Sequence, residues 1–259
     1  MPQIYTNKRS RKVGFGLLVS FVVRLVFFVN IAHATCIIIH IGKGEIFIGA
    51  DSRSVHKAFN ADSVQYLRTC KIARFDSTFF VMSGLTNSDS YNFNPYQIAE
   101  AHFSSSESFN SKLSNFVMDI KTRLSEILKK IRTNRRSWQM VVTKENRILD
   151  VALIGEINGQ FGVYRLGFVL TETANMTIDV QQEMIPCNES TDKYIGFGES
   201  DEGKKYIVAN VKSETPERLI PNAIKAQSIM TPAQVGEPVN LLRVTADSFQ
   251  WLLNCCCDK

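Results

Sequence analysis

Apolar positions along the chain form short β-branched blocks in several regions and helical stripes in others. From Thr35 to Ile41 and from Glu45 to Ala50 most positions are apolar, and Gly42-Lys43-Gly44 interrupts the run. Apolar and β-branched blocks that flank a glycine-containing turn are typical of a hairpin, so this region predicts a buried β-hairpin. The block from Phe79 to Met82 predicts a further short strand, after the Lys71-Ile72 segment.

Two regions show the spacing of amphipathic helices instead. Across Leu113–Ile131 the apolar residues recur mostly at three- and four-residue steps, which predicts one long helix with a buried face. Asn94 followed by Pro95 predicts the start of a preceding helix, because asparagine caps a helix and proline suits its first position. Later in the chain we expect one helix from Asp201 and another within Thr215–Met230.

The remaining apolar blocks predict strands, and Asn158-Gly159 is a hairpin signal between two of them. The expected strands are Trp138–Val142, Ile148–Ile154, Phe161–Leu170, Met176–Ile185, Val239–Val244 and Phe249–Leu253. The order along the chain is strands, two helices, strands, two helices, strands. It predicts an α+β fold in which two antiparallel sheets pack face to face with helices outside, a four-layer α/β/β/α sandwich.

The first 34 residues have a different composition from the rest. Basic residues within Lys8–Lys12 precede a mostly apolar run, Val13–Val29, and the segment ends in Ala32-His33-Ala34. This is the layout of a secretory signal, with small residues at the −3 and −1 positions of a cleavage point. An uncleaved membrane anchor is the alternative, but Arg24 within the run makes it costly. We expect residues 1–34 to be a signal peptide, and the secreted or periplasmic domain to cover 35–259.

Removal of the leader changes the charge balance of the chain. The whole sequence has 30 basic and 25 acidic residues, and the leader carries five of the basic ones and no acid. The remaining 225 residues are formally neutral, so the pI of 8.9 reflects mainly the leader. Since there is also no basic stripe interleaved with aromatic residues, we expect no nucleic-acid partner. A remainder of this size fits one domain with one sizeable core.

The six cysteines stand at positions 36, 70, 187, 255, 256 and 257, with no CxxC pair. An even number of cysteines in an exported chain permits disulfides. We expect at least one of the tail cysteines, Cys255–Cys257, to form a disulfide. Cys187, Cys70 and a second chain are all open as partners, and weak metal binding is a further alternative. No histidine stands at metal-ligand spacing, so we expect neither a cofactor nor a metal.

Cleavage after Ala34 would make Thr35 the chain terminus. An alcohol needs a base to act as a nucleophile, and a terminal threonine carries one in its α-amino group, whose ordinary pKa is about 8. A nearby lysine cation lowers that pKa, a carboxylate holds the lysine, and backbone N–H groups face the oxyanion. The chain offers these groups in order, as Gly49-Ala50-Asp51-Ser52-Arg53, then Lys71-Ile72, an apolar strand and Ser83-Gly84.

This series resembles the proteasome β-subunit family of N-terminal-nucleophile (Ntn) hydrolases. That family has a terminal threonine, a strand pair, Gly-Ala-Asp-x-Arg with its aspartate sixteen residues after the threonine, a Lys-Ile, and a Ser/Ala-Gly turn. Thr35 and Asp51 are the same sixteen residues apart. The resemblance implies that Thr35 is nucleophile and base, that Asp51 and Lys71 support it, and that Gly84 donates to the oxyanion. It also implies that Arg53 is a structural neighbour.

Three segments depart from the family pattern. The loop between Arg53 and Lys71 is longer than usual. In Gly196-Phe197-Gly198-Glu199-Ser200, the serine that usually contacts the terminal amine corresponds to Phe197, unless Ser200 takes its place. The family's Asp-x-x-Ser-Gly-Gly, which precedes the closing strand, corresponds to Pro232-Ala-Gln-Val235-Gly236-Glu237, without the Asp or the Ser. Part of the usual support for the amine is therefore missing.

Two functions are compatible with these observations. The match between Thr35 and the cleavage point favours an exported threonine hydrolase that cleaves peptide or other amide bonds, and this is the function we expect. The missing Asp and Ser favour the alternative, a catalytically silent binding or assembly module. The expected partners are a peptide or small amide substrate, the membrane only through the transient leader, and a second copy if the chain self-associates as relatives do. Cleavage one residue later would make Cys36 the nucleophile, but threonine would then occupy −1 and the spacing to Asp51 would change.

Overall fold

Strand and helix regions alternate along the chain in the computed structural model, which describes residues 35–56, 65–88, 91–143, 145–188, 190–254 and 257. The strands are β1 (Cys36–Gly42), β2 (Glu45–Asp51), β3 (Arg53–His56), β4 (Gln65–Arg68), β5 (Ile72–Phe75), β6 (Thr78–Gly84), β7 (Arg147–Ile157), β8 (Gln160–Glu172), β9 (Thr177–Pro186), β10 (Asp192–Gly198), β11 (Val239–Thr245) and β12 (Phe249–Leu253). The helices are α1 (Pro95–Phe103), α2 (Phe109–Ile131), α3 (Arg135–Val141), α4 (Asp201–Asn210) and α5 (Pro216–Met230).

The strands form two five-stranded antiparallel sheets and one small hairpin. The first sheet has the order β10-β1-β2-β11-β12, and the second has the order β5-β6-β7-β8-β9. The hairpin pairs β3 with β4. In the first sheet the start of β1 lies beside the end of β10, with Cys36 opposite Gly198, and the end of β2 lies beside the start of β11, with Asp51 opposite Val239. These two pairings bring four strand ends to one edge of the molecule.

The buried side chains separate into three layers of core. Between the sheets, odd-numbered isoleucines of β1 such as Ile37 pack in one cluster with Phe79 and Val81 of β6. On the outer face of the first sheet, Cys36 and Ile38 pack against α5. On the outer face of the second sheet, β6 and β7 pack against the apolar stripe of α2. Both faces of each sheet are therefore covered, and the predicted four-layer α/β/β/α sandwich is confirmed.

The two predicted helices before β7 begin where their caps place them. Asn94 accepts hydrogen bonds from the backbone of Tyr96 and Gln97, and Pro95 occupies the first turn. The seven buried residues of α2 follow the three- and four-residue steps that predicted it: Leu113, Phe116, Ile120, Leu124, Ile127, Leu128 and Ile131. The stripe packs on the second sheet because one helix face can bury only residues of that spacing.

The expectation of a strand at Trp138–Val142 is wrong, because this segment lies mainly in α3. Asn134 caps the helix by accepting a hydrogen bond from the Ser137 backbone N–H at 3.1 Å. Trp138 and Val141 are three residues apart and both pack into the core beneath α2. A short apolar run suits a strand or a buried helical turn equally well, and here the cap and the α2 surface favour the helix.

Two pairings were not predicted. The hairpin of β3 and β4 lies within the lengthened loop between Arg53 and Lys71. Strand β10 pairs along the whole of β1, although its sequence starts with polar residues and ends in Gly196-Phe197-Gly198. Its apolar signal is limited to Ile195 and Phe197, whose two-residue spacing turns both side chains into the core between the sheets.

A disulfide joins Cys70 to Cys257, with 4.8 Å between the Cα atoms. The expectation of a tail disulfide is therefore confirmed for Cys257, and Cys70 is its partner rather than Cys187, which is a free thiol. Cys255 and Cys256 lie outside the described residues, as does the leader, residues 1–34. Within the described part of the chain, no helix combines the length and the apolar character needed to cross a membrane.

Candidate active site

The centre of the site is the carboxylate of Asp51, the last residue of β2. Its Oδ1 accepts hydrogen bonds from the backbone N–H of Cys36 at 2.7 Å and from the Lys71 ammonium at 2.8 Å. Its Oδ2 accepts from the backbone N–H groups of Arg53 at 3.2 Å and Gly236 at 3.4 Å. Four donors from four segments of the chain thus converge on one carboxylate, which satisfies its buried oxygens.

The Asp51–Lys71 pair is an ion pair removed from solvent. The Asp51 side chain is fully buried and that of Lys71 is 9% exposed. Burial raises the pKa of Asp51, while the Lys71 cation and the backbone donors oppose that rise. Because each charge of a buried pair is stabilised mainly by its partner, the loss of either one leaves the other uncompensated. The predicted pairing of these two residues is therefore present in the structure, although their catalytic role stays a prediction.

The segment that carries Lys71 is held from both sides. The backbone N–H of Thr69 donates to the Ser52 carbonyl at 2.8 Å, and the hydroxyl of Tyr96 donates to the Lys71 carbonyl at 2.9 Å. The extra length of the loop before Lys71 therefore does not displace this lysine, since part of that length forms the β3–β4 hairpin.

Thr35 lies at the start of β1 and is 7% exposed. Its carbonyl accepts a hydrogen bond from the backbone N–H of Glu199 at 2.8 Å, just beyond the end of β10. Gly198 has a φ of +65°, and a Cβ at this position would collide with the Thr35 carbonyl oxygen. A glycine is thus required here both for its backbone conformation and for the close approach of the two chains. Thr35 directly precedes Cys36, whose backbone N–H donates a hydrogen bond to Asp51.

Gly84 is the last residue of strand β6 in the second sheet. The neighbouring Ser83 is buried, and its Cβ lies 3.4 Å from the position that a Cβ of Gly198 would occupy. Gly84 has a φ of +102°, and a Cβ there would collide with the carbonyl oxygen of Ile148. The structure therefore brings Ser83, near the end of β6, beside the Thr35–Gly198 contact. The donation from Gly84 to an oxyanion stays a prediction.

Phe197 and Ser200 were the two candidates for the family serine beside the amine. Phe197 lies between the sheets, with its ring 5.3 Å from the Arg165 guanidinium, so it belongs to the core. Ser200 is fully buried and its hydroxyl donates to the Gly198 carbonyl at 3.4 Å. It therefore supports the turn that contacts Thr35, through Gly198.

Glu199 is the residue that sequence reasoning missed at this turn. Its backbone N–H contacts Thr35, its side chain is half-buried, and burial followed by the nearby charge of Asp201 raises the pKa of its carboxyl group. The alternation of side chains along β10 could have identified this residue. Since Ile195 and Phe197 face the core, the end of β10 and the turn after it, rather than Phe197 itself, reach the start of β1.

The segment before β11 contacts Asp51 although it lacks the Asp and the Ser of the family pattern. Gly236 donates its N–H to Asp51, and a Cβ at Gly236 would collide with the Arg53 guanidinium. Arg53 itself donates to the carbonyl oxygen of Pro232. Arg53 therefore links Pro232–Gly236 to the end of β2, which carries Asp51. These contacts support the prediction that Arg53 is a structural neighbour of the site.

Cys36 is not placed to act as a nucleophile. Its side chain is fully buried on the helix-covered face of the first sheet, packed against α5. Burial, followed by the negative charge of Asp51, raises the pKa of the Cys36 thiol far above its ordinary value. A thiol is nucleophilic as the thiolate, so a buried neutral thiol on this face is inert. The structure therefore argues against the alternative in which Cys36 is the nucleophile, and the role of Thr35 stays a prediction.

The sequence matches no protein-family model and no curated protein. Among solved structures it is similar to BPH from Thiobacillus denitrificans in complex with epoxomicin, at 15% identity and a TM-score of 0.46, over 82% of this chain and 98% of that one. It is similar to eukaryotic HslV from Trypanosoma brucei at 12% identity and a TM-score of 0.43, over 81% and 99%. It is also similar to Anbu, an ancestral beta-subunit, from Yersinia bercovieri at 15% identity and a TM-score of 0.46, over 84% and 86%.

The expected resemblance to β-subunit structures is thus found among the solved structures. Identities of 12–15% together with TM-scores below 0.5 do not show what this chain binds or catalyses. The functional conclusion therefore depends on the residues around Thr35 and Asp51.

Proposed function

We propose that this chain is an exported N-terminal threonine hydrolase that cleaves peptide or other amide bonds, with Thr35 freed by removal of residues 1–34. The observation that carries the proposal is the convergence on Asp51. One oxygen of this carboxylate binds both the Lys71 ammonium and the Cys36 amide, so the lysine cation lies close to the residue that would carry the free amine. A cation held there lowers the pKa of the amine and favours its neutral, basic form.

In the proposed reaction the Thr35 hydroxyl attacks the amide carbonyl and its proton passes to the α-amine. The C–O bond forms, and the resulting oxyanion accepts hydrogen bonds from backbone N–H groups, among which we assign that of Gly84. The amine then protonates the leaving nitrogen, the C–N bond breaks, and an ester to Thr35 remains. Water attacks this ester, the amine accepts the proton of the water, and the proton returns to the Thr35 oxygen.

The silent binding module is the alternative, and the substitutions at Phe197 and at Pro232–Val235 are what favour it. The contacts around Asp51 weigh against it. Gly236 of the altered segment still donates to Asp51, and the buried ion pair with Lys71 is complete. A silent relative gains nothing from a lysine and a carboxylate desolvated beside the terminus, because replacement of a buried pair by apolar residues is often neutral or stabilising.

The test uses a chain that starts at Thr35 and epoxomicin, the molecule named in the BPH complex, as the probe. Epoxomicin carries a ketone and an epoxide, so a terminal threonine reacts twice: its hydroxyl adds to the ketone and its amine opens the epoxide, with no leaving group. We expect the mass of one intact probe on the peptide that begins with Thr35, together with hydrolysis of fluorogenic peptide amides. The matched controls are Thr35→Ala and a chain that retains Ala34, and neither should be labelled. Absence of both the adduct and the turnover from the Thr35 chain would leave the silent module as the better account.

Self-association and export belong to the same proposal. The Anbu neighbour is named as a beta-subunit, and a homo-oligomer of the present chain is compatible with that name. Light scattering of the purified chain over a range of concentrations measures its state directly. Export is tested by fractionation of cells that make the full-length chain, in which a protein that stays in the cytoplasm with its leader attached would contradict it.

A further inference from the structure

The disulfide between Cys70 and Cys257 adjoins the proposed catalytic lysine. Cys70 directly precedes Lys71, and Cys257 lies 187 residues further along the chain, in the tail beyond β12. The bond therefore connects the end of the first sheet to the segment that leads into β5, the first strand of the second sheet. Nothing in the reaction described above uses this bond, so its position needs a separate explanation.

The segment Thr69–Lys71 belongs to no strand or helix. It is anchored by the Thr69 bond to Ser52, by the Tyr96 bond to the Lys71 carbonyl, and by the covalent bond at Cys70. Of these three anchors, only the disulfide acts on the residue next to Lys71 through a covalent bond. Since the Lys71 ammonium must stay 2.8 Å from Asp51, small displacements of this segment matter for the charge beside the terminus.

The tail is built to present Cys257 to Cys70. The side chain of Asn254 accepts a hydrogen bond from the Cys257 backbone N–H at 2.9 Å and donates one to its carbonyl at 3.0 Å, which holds Cys257 close to the end of β12. β12 is an edge strand of its sheet, and it pairs with β11. The Cys257 residue is 9% exposed, and Cys70 is half-buried.

We propose that the Cys70–Cys257 disulfide positions Lys71, and that its reduction by a dithiol lowers the activity of the chain. This inference rests on the proposed function. In the reduction, a thiolate of the dithiol attacks one sulfur of the bond and releases the other cysteine as a thiolate. The second thiol of the reductant, as its thiolate, then attacks the mixed disulfide and releases the remaining cysteine. Two electrons and two protons pass from the dithiol, which becomes a cyclic disulfide, and Cys70 and Cys257 become thiols. The Thr69 and Tyr96 hydrogen bonds and the Lys71–Asp51 ion pair then remain, without the covalent bond next to Lys71.

Reduction should shift the pH dependence of activity in a predictable direction. The charges that act on Cys36, next to Thr35, are those of Asp51, Lys71, Lys204 and Glu199. Of these, the Lys71 cation is the one next to the disulfide, and a less well held lysine should let the pKa of the Thr35 amine rise toward its ordinary value of about 8. The acidic limb of kcat/KM should therefore move to higher pH in the reduced chain. The value of kcat near neutral pH should fall by roughly tenfold, while KM changes little, because the disulfide acts on the base and not on substrate binding.

The experiment compares oxidised and dithiothreitol-treated chains that start at Thr35. Cys70→Ser removes the disulfide to Cys257, so this variant should be slow in both states and insensitive to the reductant. Cys187→Ser is the matched control, since Cys187 is also half-buried but forms no disulfide in the structure. It should respond to dithiothreitol as the unmodified chain does. Hydrogen exchange of the Thr69–Ile72 backbone should speed up on reduction, with an unchanged circular dichroism spectrum.

The outcomes separate the two proposals. Equal kcat and equal pH profiles in both redox states would overturn the positioning role and leave the hydrolase intact. Loss of the circular dichroism signal on reduction, or in Cys70→Ser, would show a bond that holds the fold as a whole and would also overturn the positioning role. An oxidised chain that neither turns over amides nor accepts epoxomicin would end the proposed function, and this inference with it.

Discussion

At the scale of single residues, the Asp51–Lys71 pair contributes both to stability and to the proposed chemistry. Its two charges are buried together, and four donors saturate the carboxylate. Single substitutions at such a pair cost stability because they strand the remaining charge, whereas joint replacement removes both desolvation penalties. The pair can therefore be tested without any substrate.

We predict that Lys71→Met lowers the free energy of unfolding by about 3–5 kcal/mol, since it leaves the Asp51 carboxylate buried without a cation. The double substitution of Lys71→Met with Asp51→Asn should recover part of that loss. Urea unfolding followed by circular dichroism measures both effects. As a control, Lys193→Met removes an exposed lysine whose partner Glu183 is also exposed. That change should cost about 1 kcal/mol or less, and equal losses at the two lysines would contradict the buried-pair interpretation.

Thr35 gives the matching prediction for activity. If its hydroxyl and amine act with Lys71 as one unit, Thr35→Ala should lower kcat by a factor on the order of 10³ or more, and Lys71→Ala should come close to that loss. The double variant should be little worse than Thr35→Ala, because the loss of one member already disables the unit. Thr35→Ser should keep part of the activity, since both reacting groups survive. Strictly multiplicative losses in steady-state assays of all four chains would argue against a shared unit.

At the scale of the elements, the site exists because four strand ends meet at one edge of the sandwich. β1 begins where β10 ends, and Asp51 lies at the end of β2 beside the start of β11. β6 of the second sheet reaches the same edge through Ser83. At Gly198 a side chain would collide with the Thr35 carbonyl oxygen, and at Gly84 it would collide with the Ile148 carbonyl oxygen of β7.

Gly84 offers a test at this scale with a matched control. Gly84→Ala places a methyl group against the Ile148 carbonyl at a φ of +102°, whereas Gly44→Ala meets a φ of +76° with no atom within 4 Å. Both lose the conformational freedom of glycine, which costs about 1–2 kcal/mol. Only Gly84→Ala should also lose most of the turnover, as a shifted β6 end moves the assigned oxyanion donor. Thermal unfolding and kcat of the two variants measure this difference, and unchanged turnover in Gly84→Ala would remove Gly84 from the site.

The same scale explains what the sequence could and could not predict. The stripe of α2 and the hairpin of β1 and β2 were predictable. A long periodic or continuous apolar pattern buries its apolar side chains well in only one kind of secondary structure. β10 has only Ile195 and Phe197 as an apolar signal, so its pairing with β1 depends on long-range contacts that no local pattern encodes. Glu199 was missed for the same reason. The motif comparison matched the family serine to Phe197, whereas the pairing of β10 with β1 brings the Glu199 backbone N–H to the Thr35 carbonyl.

At the scale of the whole molecule, the sequence predicted the Asp51–Lys71 pair but not the long-range contacts around it. Asp51 and Lys71 are twenty residues apart, and their pairing could be inferred from the motif. The contact of Gly236 with Asp51 spans 185 residues, and the Cys70–Cys257 bond spans 187. Neither has a local signature, because several cysteines and several glycines fit equally well until the fold selects among them. Residues near the end of the chain, Gly236 and Cys257, thus contact the region of Asp51 and Lys71, which lie near its start.

The final prediction concerns the terminus of the mature molecule, on which the whole proposal depends. Exported protein should begin at Thr35, because Ala32-His33-Ala34 offers the small residues that a signal peptidase requires. Edman sequencing and intact-mass analysis measure this directly. A chain that retains Ala34 carries the Thr35 nitrogen as an amide, which cannot accept a proton from the hydroxyl. It should unfold at the same urea concentration as the Thr35 chain, since the ion pair is intact, yet show no turnover. Equal turnover in the two chains would mean that the base is a different group, and the terminal-threonine mechanism would have to be abandoned.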